Sequence, residues 1–563
     1  MNGLWAGYHE GGYAPFAFDV STLLNYGGDN VIVYRVDALP WTIRFDIIPS
    51  WFATDWQHYV GVVQDLYLEA APPMNIVRAD VIPMNTRGDL EVSVVIENRS
   101  DEQRLVRVAA TAFALDETDP DYLDEPRPSR LLGGQAPLLH ENETWALVPP
   151  MGFTRAGLSP RVENPDLWTP ADPNLYAMRV SLEAGADEID TFWTQFGVRT
   201  VEVGEGAKIL LNRRPAFFTG MARHEDWPDT GRTATFEKIR EDLEIVRETN
   251  AYFLRTAHYP NHPNTYLLTD RLGFAVWEEI PAWWIMQLNI PILLERGLPQ
   301  QMWREMIWNQ RNRPSVLFWS LQNEAMWYLV FNLPQYVGTL RDDFRDNYPD
   351  GRLVAQALAA DGAPVTGHTV DDVDVIGWNT YYDVFYGGDA TGETAGFLQW
   401  QHAIHPDTPM IVTEFGQWAG DDAGDQQKQV DIAEDTLAGI FPFAAVDDTA
   451  TTFEEGFVAG VSWWCQFNWY RVQDPHVQSM GTMSMDRITE KPVRQTLADL
   501  YEPYFNSGGL GEALPDDDDD DDADDDTGDD DDAPDDDGAP DDDVDDDENA
   551  DDDDNDEGGC CGC

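Results

Sequence analysis

Alternating apolar and polar positions fill the first 200 residues of the chain. In residues 76–200 short runs such as 90–96 (LEVSVVI) contain alternating apolar and polar positions, which is typical of half-buried strands. Residues 1–72 contain similar aromatic and β-branched runs, such as 31–34 (VIVY), between Gly, Asn and Pro turns. Both stretches therefore predict β-sandwiches, one over 1–72 and one over 76–200.

From about residue 205 the pattern changes to apolar strands that alternate with helical stretches. About eight such units follow one another, which favours a parallel (β/α)8 TIM barrel over residues 205–505 rather than an open sheet. Residues 506–563 are rich in Asp, Gly and Pro. Since such a segment cannot bury apolar area, we predict a disordered acidic tail there.

The net charge of the chain limits the classes of binding partner that we expect. The chain has 104 acidic and 35 basic residues and a net charge of −69. Residues 514–563 carry 30 of the acidic residues and no Lys or Arg, so the rest of the chain is also strongly acidic. Dense surface carboxylate with only four lysines favours a salt-loving source organism; the alternative is an ordinary acidic protein with an appended tail. No basic patch is present, so nucleic acid is not an expected partner.

Cysteine usage and hydropathy give no sign of export or membrane insertion. Cys465 is the one cysteine outside the last four residues, so no disulfide framework can form within the body. The start of the sequence has neither the basic region nor the long apolar region of a signal peptide. We expect a cytoplasmic protein without a membrane partner, and homo-oligomerisation stays open.

Two glutamates follow strand-like runs in the predicted barrel. Glu324 ends the segment 316–324 (VLFWSLQNE), and Glu414 lies in 410–416 (MIVTEFG). Counting strands places them on the fourth and seventh, where the carboxyl ends of barrel strands face one pocket. Such a pair about 5 Å apart is suited to double displacement at an anomeric carbon. A single strand-end glutamate is equally well explained as a helix cap or a partner of arginine.

Six segments in this order resemble the barrel of glycoside hydrolase family 2, which includes β-galactosidases, β-glucuronidases and β-mannosidases. They are 220–226 (GMARHED), 255–260 (RTAHYP), 323–324 (NE), 379–382 (NTYY), 413–416 (TEFG) and 461–464 (VSWW). Upstream, 9–13 (HEGGY) and 55–69 resemble the family's sugar-binding jelly roll, whose first strands would be missing. Residues 164–168 (NPDLW) and 174–176 (NLY) resemble the end of its immunoglobulin-like domain.

The resemblance implies a role for nine residues. Glu324 would be the acid/base and Glu414 the nucleophile, with Tyr381 donating a hydrogen bond to Glu414. The other residues would contact the sugar: Asn323 through its amide, His224 and His258 in the subsite, Trp464 as an apolar platform and Asp55 from the jelly roll. Asp226 would either bind a hydroxyl or cap the following helix. Each of these side chains also has a purely structural interpretation.

Two differences from the motifs of the family bear on the expected cofactor and on the identity of the sugar. Residues 278–284 (EEIPAWW) lack the histidine of the Glu-x-His pair with which large galactosidases hold magnesium, so no metal or other cofactor is predicted. Residues 479–484 (SMGTMS) lack the Asn-x-Lys element of the glucuronidases. Met480 also stands where galactosidases place an asparagine.

The leading hypothesis is a retaining exo-β-glycosidase that hydrolyses a terminal β-linked hexose, with a β-galactoside as the first choice of substrate. β-Mannosidase and β-glucuronidase are the alternatives within the family. A non-catalytic carbohydrate-binding protein and an endo-acting polysaccharidase are the alternatives outside this reaction.

Overall fold

Residues 74–196 form an antiparallel β-sandwich. A computed structural model describes residues 1–37, 46–49, 54–138, 142–325, 332–472 and 476–514. Its sandwich strands are β1 (Met74–Pro83), β2 (Leu90–Asn98), β3 (Arg104–Ala114), β4 (Asn142–Val148), β5 (Gly152–Leu158), β6 (Tyr176–Ala184) and β7 (Asp187–Phe196). One sheet has the order β1-β2-β5 and the other β4-β3-β6-β7.

The alternation seen in the sequence sets which face of the sandwich is buried. Leu90, Val92, Val94 and Ile96 of β2 lie in the core between the sheets, whereas Glu91 is exposed. Buried apolar residues of β3 and β6 pack against them from the second sheet. The sandwich predicted for residues 76–200 is confirmed.

Eight parallel strands then close into a barrel. They are β11 (Phe218–Ala222), β12 (Phe253–Thr256), β13 (Ala275–Glu279), β14 (Val316–Asn323), β15 (Leu353–Ala359), β16 (Val375–Asn379), β17 (Met410–Phe415) and β18 (Val458–Trp463). A small antiparallel sheet, β8 (Val201–Gly204), β9 (Lys208–Leu211) and β10 (Arg214–Pro215), precedes the barrel, and β19 (Trp469–Tyr470) with β20 (Val477–Gln478) follows it. The predicted TIM barrel is confirmed.

Helices form the outer layer of the barrel. They are α1 (Phe236–Arg247), α2 (Pro263–Leu272), α3 (Ile290–Glu295), α4 (Leu298–Gln310), α5 (Leu333–Asn347), α6 (Ala363–Thr366), α7 (Ala390–Ile404), α8 (Ala423–Ile440) and α9 (Pro492–Phe505). Local signals set several ends: Thr235 caps α1, Asp422 caps α8, and Gly273 ends α2 in the left-handed conformation. No helix of the described residues is long and apolar enough to cross a membrane.

Residues 1–72 differ from the predicted sandwich. Their described part contains the short 3-10 helix Ser21–Leu23 and no strand. The side chains of the run 31–34 are exposed, and the backbone of Val31 is held by Asn2 rather than by a neighbouring strand. Since a strand is stabilised by ladder hydrogen bonds and by a buried face, the apolar pattern alone does not produce one here.

The chain stays ordered beyond the predicted end of the barrel. Residues 506–514 were expected to begin the disordered tail, but Leu510 is fully buried and pairs with Ala216 just before β11. The amide of Phe217 donates to the carbonyl of Gly509. This segment covers the end of the barrel opposite the strand carboxyl ends, and the rest of the predicted tail lies outside the described residues.

Two buried side chains join the sandwich to the barrel. Asn312, just before β14, bonds the edge of β1 through both amide atoms, to the carbonyl of Ala79 and the N–H of Val81, each at 2.8 Å. Trp168 is fully buried, and its indole N–H donates to the carbonyl of Asp270 in α2 at 2.9 Å. The sandwich is therefore anchored on the outer layer of the barrel.

We predict that Trp168→Ala lowers the free energy of unfolding by about 3–5 kcal/mol, because it leaves a cavity at this junction. Trp145→Ala, which removes an indole that is 57% exposed on the sandwich, should change it by only about 0.5 kcal/mol. Urea unfolding followed by circular dichroism would measure both. Equal effects of the two substitutions would contradict the assigned anchoring role.

Candidate functional site

Glu414 lies at the carboxyl end of β17 with both carboxylate oxygens bonded. Oε1 accepts a hydrogen bond from Nη1 of Arg255 at 2.6 Å, and Oε2 accepts one from the hydroxyl of Tyr381 at 2.8 Å. Arg255 comes from β12 and Tyr381 follows β16. Three strands therefore fix the position of this one carboxylate, as the sequence predicts for Tyr381.

Glu324 directly follows β14, where the backbone leaves the strand with φ = 47°. Its N–H donates to the carbonyl of Ala357 in β15 at 2.9 Å. The carboxylate accepts from Nε1 of Trp284 at 2.7 Å and from Nδ2 of Asn379 at 2.8 Å. The two glutamates end the fourth and seventh barrel strands, which agrees with the strand count from the sequence.

Asn379, at the end of β16, lies between the two glutamates. Its Nδ2 donates to Glu324 and, at 3.1 Å, to Oδ1 of Asn323, while its Oδ1 accepts from the hydroxyl of Thr413. Asn379 is also the register partner of Glu414 across the β16–β17 ladder. The structure thus brings Glu324 and Glu414 to neighbouring positions of one pocket.

Arg255 contacts several of the polar side chains at the floor of this pocket. It is fully buried, and Nη2 donates to Oδ1 of Asn323 at 2.7 Å and to both oxygens of Glu279 at 3.1 Å. With its oxygen held by Arg255 and Asn379, the amide of Asn323 has Nδ2 left to donate to a ligand within the described pocket. The guanidinium fixes Glu414, Asn323 and Glu279 relative to one another.

Glu279 lies in the segment 278–284, which lacks the Glu-x-His pair with which the large galactosidases hold magnesium. Its oxygens accept hydrogen bonds from His258, Arg255 and the indole N–H of Trp277. A guanidinium already neutralises this carboxylate, and the described residues gather no group of three or more metal-binding side chains. The residues present do not fit magnesium at this position.

Burial raises the pKa of both glutamates. For Glu414 the charge of Arg255 opposes this rise, the nearby Glu324 carboxylate adds to it, and the hydrogen bonds from Arg255 and Tyr381 lower the pKa. For Glu324 the rise is opposed by the hydrogen bonds from Trp284 and Asn379 and by the charge of Arg255. Since the charge of Glu324 raises the pKa of Glu414, the pair favours a state that holds one proton.

His258 follows β12 and faces Glu414. Burial lowers the pKa of His258 to about 4, so the ring is neutral near pH 7. Nδ1 lies 2.8 Å from Oε1 of Glu279, which assigns the proton to Nδ1. Nε2 lies 3.9 Å from Oε1 of Glu414 and can therefore accept a hydrogen bond from a ligand hydroxyl.

His224 and Trp464 pack against the same wall. Burial lowers the pKa of His224 well below its usual range, and its Nε2 has no hydrogen-bond partner among the described residues. Trp464 is 4% exposed and stacks on His258 with ring centroids 4.8 Å apart. Trp464 thus packs against both histidines, and its role as a sugar platform stays a prediction.

Asp226 and Asp55 are placed at the junction between the barrel and residues 54–59. Asp226 accepts hydrogen bonds from the N–H of Tyr470 at 3.0 Å and the hydroxyl of Tyr59 at 3.4 Å, and it caps no helix, because Thr235 caps α1. The carboxylate of Asp55 lies 3.2 Å from Nε of Arg471 and accepts from Gln478. Both are near the pocket and already have protein partners.

Sequence reasoning missed four residues that organise the site. Arg255, Asn379 and Trp284 lie inside segments that drew attention for other residues, and Glu279 was considered only as a missing metal site. Arg255 carried a signal: an arginine inside a fully apolar strand requires a buried carboxylate partner. No sequence signal assigns the indole of Trp284 to Glu324, because that contact depends on the loop after β13.

Two family models match consecutive parts of the chain. "Glycosyl hydrolases family 2" matches residues 76–199, and "Glycosyl hydrolases family 2, TIM barrel domain" matches residues 201–442. The chain belongs to glycoside hydrolase family 2. These two matched ranges correspond to the β-sandwich and to the barrel described above.

The individual relatives have low sequence identity to this chain. A β-glucuronidase of Streptococcus agalactiae is 30% identical over 44% of this chain and 44% of its own, and a β-galactosidase of Thermoanaerobacter pseudethanolicus is 25% identical over 58% and 40%. The crystal structure of a Bacteroides uniformis β-glucuronidase matches with a TM-score of 0.71 and 22% identity over 86% of this chain and 57% of that one. The chain spans about half the length of the curated relatives it matches.

We predict that Tyr381→Phe raises the pKa of Glu414, because it removes a donor that favours the carboxylate. Arg255→Met should raise it further, since it removes the adjacent cation. Carbon-13 NMR of protein labelled at the glutamate carboxyl carbons would measure the titration, with Glu414 assigned by its loss in Glu414→Gln.

Tyr336→Phe is the matched control, because the buried Tyr336 hydroxyl donates to the carbonyl of Leu321 and to no carboxylate of the site. It should leave the titration unchanged. An unchanged or lowered pKa in Tyr381→Phe would argue against the described hydrogen bond.

Proposed function

We propose that the protein is a retaining β-glycosidase in which Glu414 is the nucleophile and Glu324 the acid/base. The observation that carries the proposal is the unequal environment of two adjacent buried carboxylates. Glu414 is held by a cation and a hydroxyl, and Glu324 by two neutral donors. A double displacement needs one carboxylate that is ionised and one that is protonated at the same pH.

Glu414 is the better anion of the pair. Its ion pair with Arg255 and its hydrogen bond from Tyr381 both favour the charged form, and they orient its lone pairs towards the pocket. In the first step Glu414 attacks the anomeric carbon, and the bond between this carbon and the glycosidic oxygen breaks. The product of that step is a covalent glycosyl-enzyme.

Glu324 is the better proton donor, since among the described residues no cation forms an ion pair with its carboxyl group. In the first step it gives its proton to the departing glycosidic oxygen, which leaves as an alcohol. In the second step its carboxylate takes a proton from water while the water oxygen attacks the anomeric carbon and releases Glu414. The anomeric configuration is retained because each step inverts it once.

The sugar would be held by side chains that still have an unused hydrogen-bond donor or acceptor atom. Nδ2 of Asn323 can donate to a hydroxyl and Nε2 of His258 can accept from one, while Nε2 of His224 can form a hydrogen bond with a hydroxyl as donor or acceptor according to its tautomer. A buried nitrogen without a partner is costly, and a sugar hydroxyl would satisfy His224. These positions support a terminal hexose bound between Glu414 and the histidine wall.

The preferred substrate is a β-galactoside, in line with the relatives named β-galactosidase. A β-glucuronide is the second candidate, and β-mannoside a third. The glucuronide is favoured by the relatives named β-glucuronidase.

A panel of p-nitrophenyl β-glycosides in concentrated potassium chloride tests these choices. The highest kcat/KM for the galactoside supports the first candidate, and turnover of the glucuronide alone supports the second. Activity on long polysaccharides with none on the nitrophenyl sugars would indicate an endo-acting enzyme. Sugar binding without any turnover would indicate a non-catalytic carbohydrate-binding protein.

We predict that Glu414→Ala lowers kcat on the order of 10⁴-fold or more, because no covalent intermediate can form. Added azide should restore part of the turnover of an aryl glycoside and yield a glycosyl azide of inverted configuration, identified by NMR. Glu393→Ala, which removes an exposed glutamate from α7, should change nothing. A folded Glu414→Ala protein that azide does not rescue would remove Glu414 from this role.

We predict that Glu324→Ala lowers kcat/KM for alkyl β-glycosides by about 10²–10⁴-fold, because a basic alkoxide must be protonated as it leaves. The 2,4-dinitrophenyl glycoside should lose much less kcat/KM, since its leaving group needs no proton. Initial-rate kinetics with both substrates measure the difference. Equal losses would contradict the role of Glu324 as the acid.

A further inference from the structure

The rim of the pocket beside Glu324 carries an indole whose ring face has no role in the reaction outlined above. Trp284 is 40% exposed, the largest exposure among the described tryptophans that contact the site. Its ring lies parallel to that of Trp283, with centroids 4.6 Å apart and an interplanar angle of 0°. One face of Trp284 is therefore covered by protein and the other faces outward.

The stack that carries Trp284 is rigidly supported. Trp283 is 6% exposed and packs edge-on against Trp56, with centroids 5.6 Å apart. The N–H of Trp284 donates to the carbonyl of Asn323 at 3.0 Å, and the residue is held at φ = 47°, a conformation uncommon for a bulky side chain. Such a backbone persists only where surrounding contacts enforce it, which points to a functional demand on this indole.

The position of the indole relative to the reaction follows from its hydrogen bond. Nε1 of Trp284 lies 2.7 Å from Oε2 of Glu324. If Glu324 protonates the glycosidic oxygen, the leaving group must lie next to this carboxyl group. The outward face of Trp284 is then an apolar surface beside that leaving group.

We infer that Trp284 forms the leaving-group subsite, which selects β-glycosides whose aglycone presents the face of a ring to the indole. The ring is either a second pyranose or an aromatic group. This inference rests on the proposed function and names the class of aglycone that the same site takes. A planar indole offers a broad apolar face to the C–H groups of a pyranose or to an aromatic ring, and such contacts are worth more than area burial alone. A methyl aglycone covers almost none of that face.

The same residue acts on Glu324 as a positioning residue. Its N–H holds one carboxyl oxygen, and Asn379 holds the other. The hydrogen bond from Trp284 lowers the pKa of Glu324. Binding of a ring aglycone and orientation of the acid are therefore coupled through one side chain.

Binding measured without turnover tests the subsite. In a Glu414→Gln background, calorimetry would compare phenyl with methyl β-galactoside, and phenyl with methyl β-glucuronide. Adding Trp284→Ala should weaken the phenyl glycosides roughly 3- to 10-fold and leave the methyl glycosides unchanged. Trp400→Ala, which removes an indole that is 44% exposed on α7, is the matched control and should affect neither.

Trp284→Phe separates the two effects, since it keeps a flat ring and removes the N–H donor. It should retain the affinity for phenyl glycosides. In the Glu414-containing enzyme the alkaline limb of kcat/KM should move to higher pH, because Glu324 loses a donor that favours its carboxylate. A purely structural role of the indole would not move this limb.

The inference is overturned if Trp284→Ala weakens methyl and phenyl glycosides equally, or if Phe weakens phenyl glycosides as much as Ala does. Failure of the proposed function has a different signature. If the native protein turns over no β-glycoside but Trp284→Ala still selectively weakens phenyl glycosides, the subsite stands and the reaction does not. Normal turnover without this selectivity overturns the subsite alone.

Discussion

The site depends on a single buried cation. Arg255 enters the barrel on β12 with no exposed surface, and a guanidinium in that environment is tolerable only with anionic partners and hydrogen bonds. Glu414 and Glu279 supply the charge, and Asn323 supplies a further acceptor. Three separate strands must therefore arrive in register before the charge is compensated, which couples the fold of the barrel to the geometry of the pocket.

This coupling explains which parts of the site the sequence could predict. Glu324 and Glu414 follow apolar strands, and parallel strands in a barrel place their carboxyl ends at one face, so the pattern alone brings them together. Tyr381 could be added by resemblance. The partners of Asp226 and Asp55 could not, because they come from β19, β20 and residues 54–59, whose approach is set by loops rather than by periodicity.

The other differences between the sequence predictions and the structure also depend on loops and on neighbouring side chains. The stacking of Trp464 on His258 was not predicted, because a position at the end of a strand does not say which neighbour an indole contacts. Residues 31–34 have the composition of a strand without a strand beside them. Trp284 was unpredictable because its left-handed backbone and its bond to Glu324 follow from the path of one loop.

The ordered segment 506–514 sets a practical limit on how the protein can be shortened. Leu510 and Gly509 lie against Ala216, Phe217 and Tyr252, which are themselves fully buried at the base of the first two barrel strands. Cutting after α9 would uncover these aromatic rings to water. A trimmed version intended for crystallisation should therefore retain every residue through Leu514, and the acidic stretch after it is the part to remove.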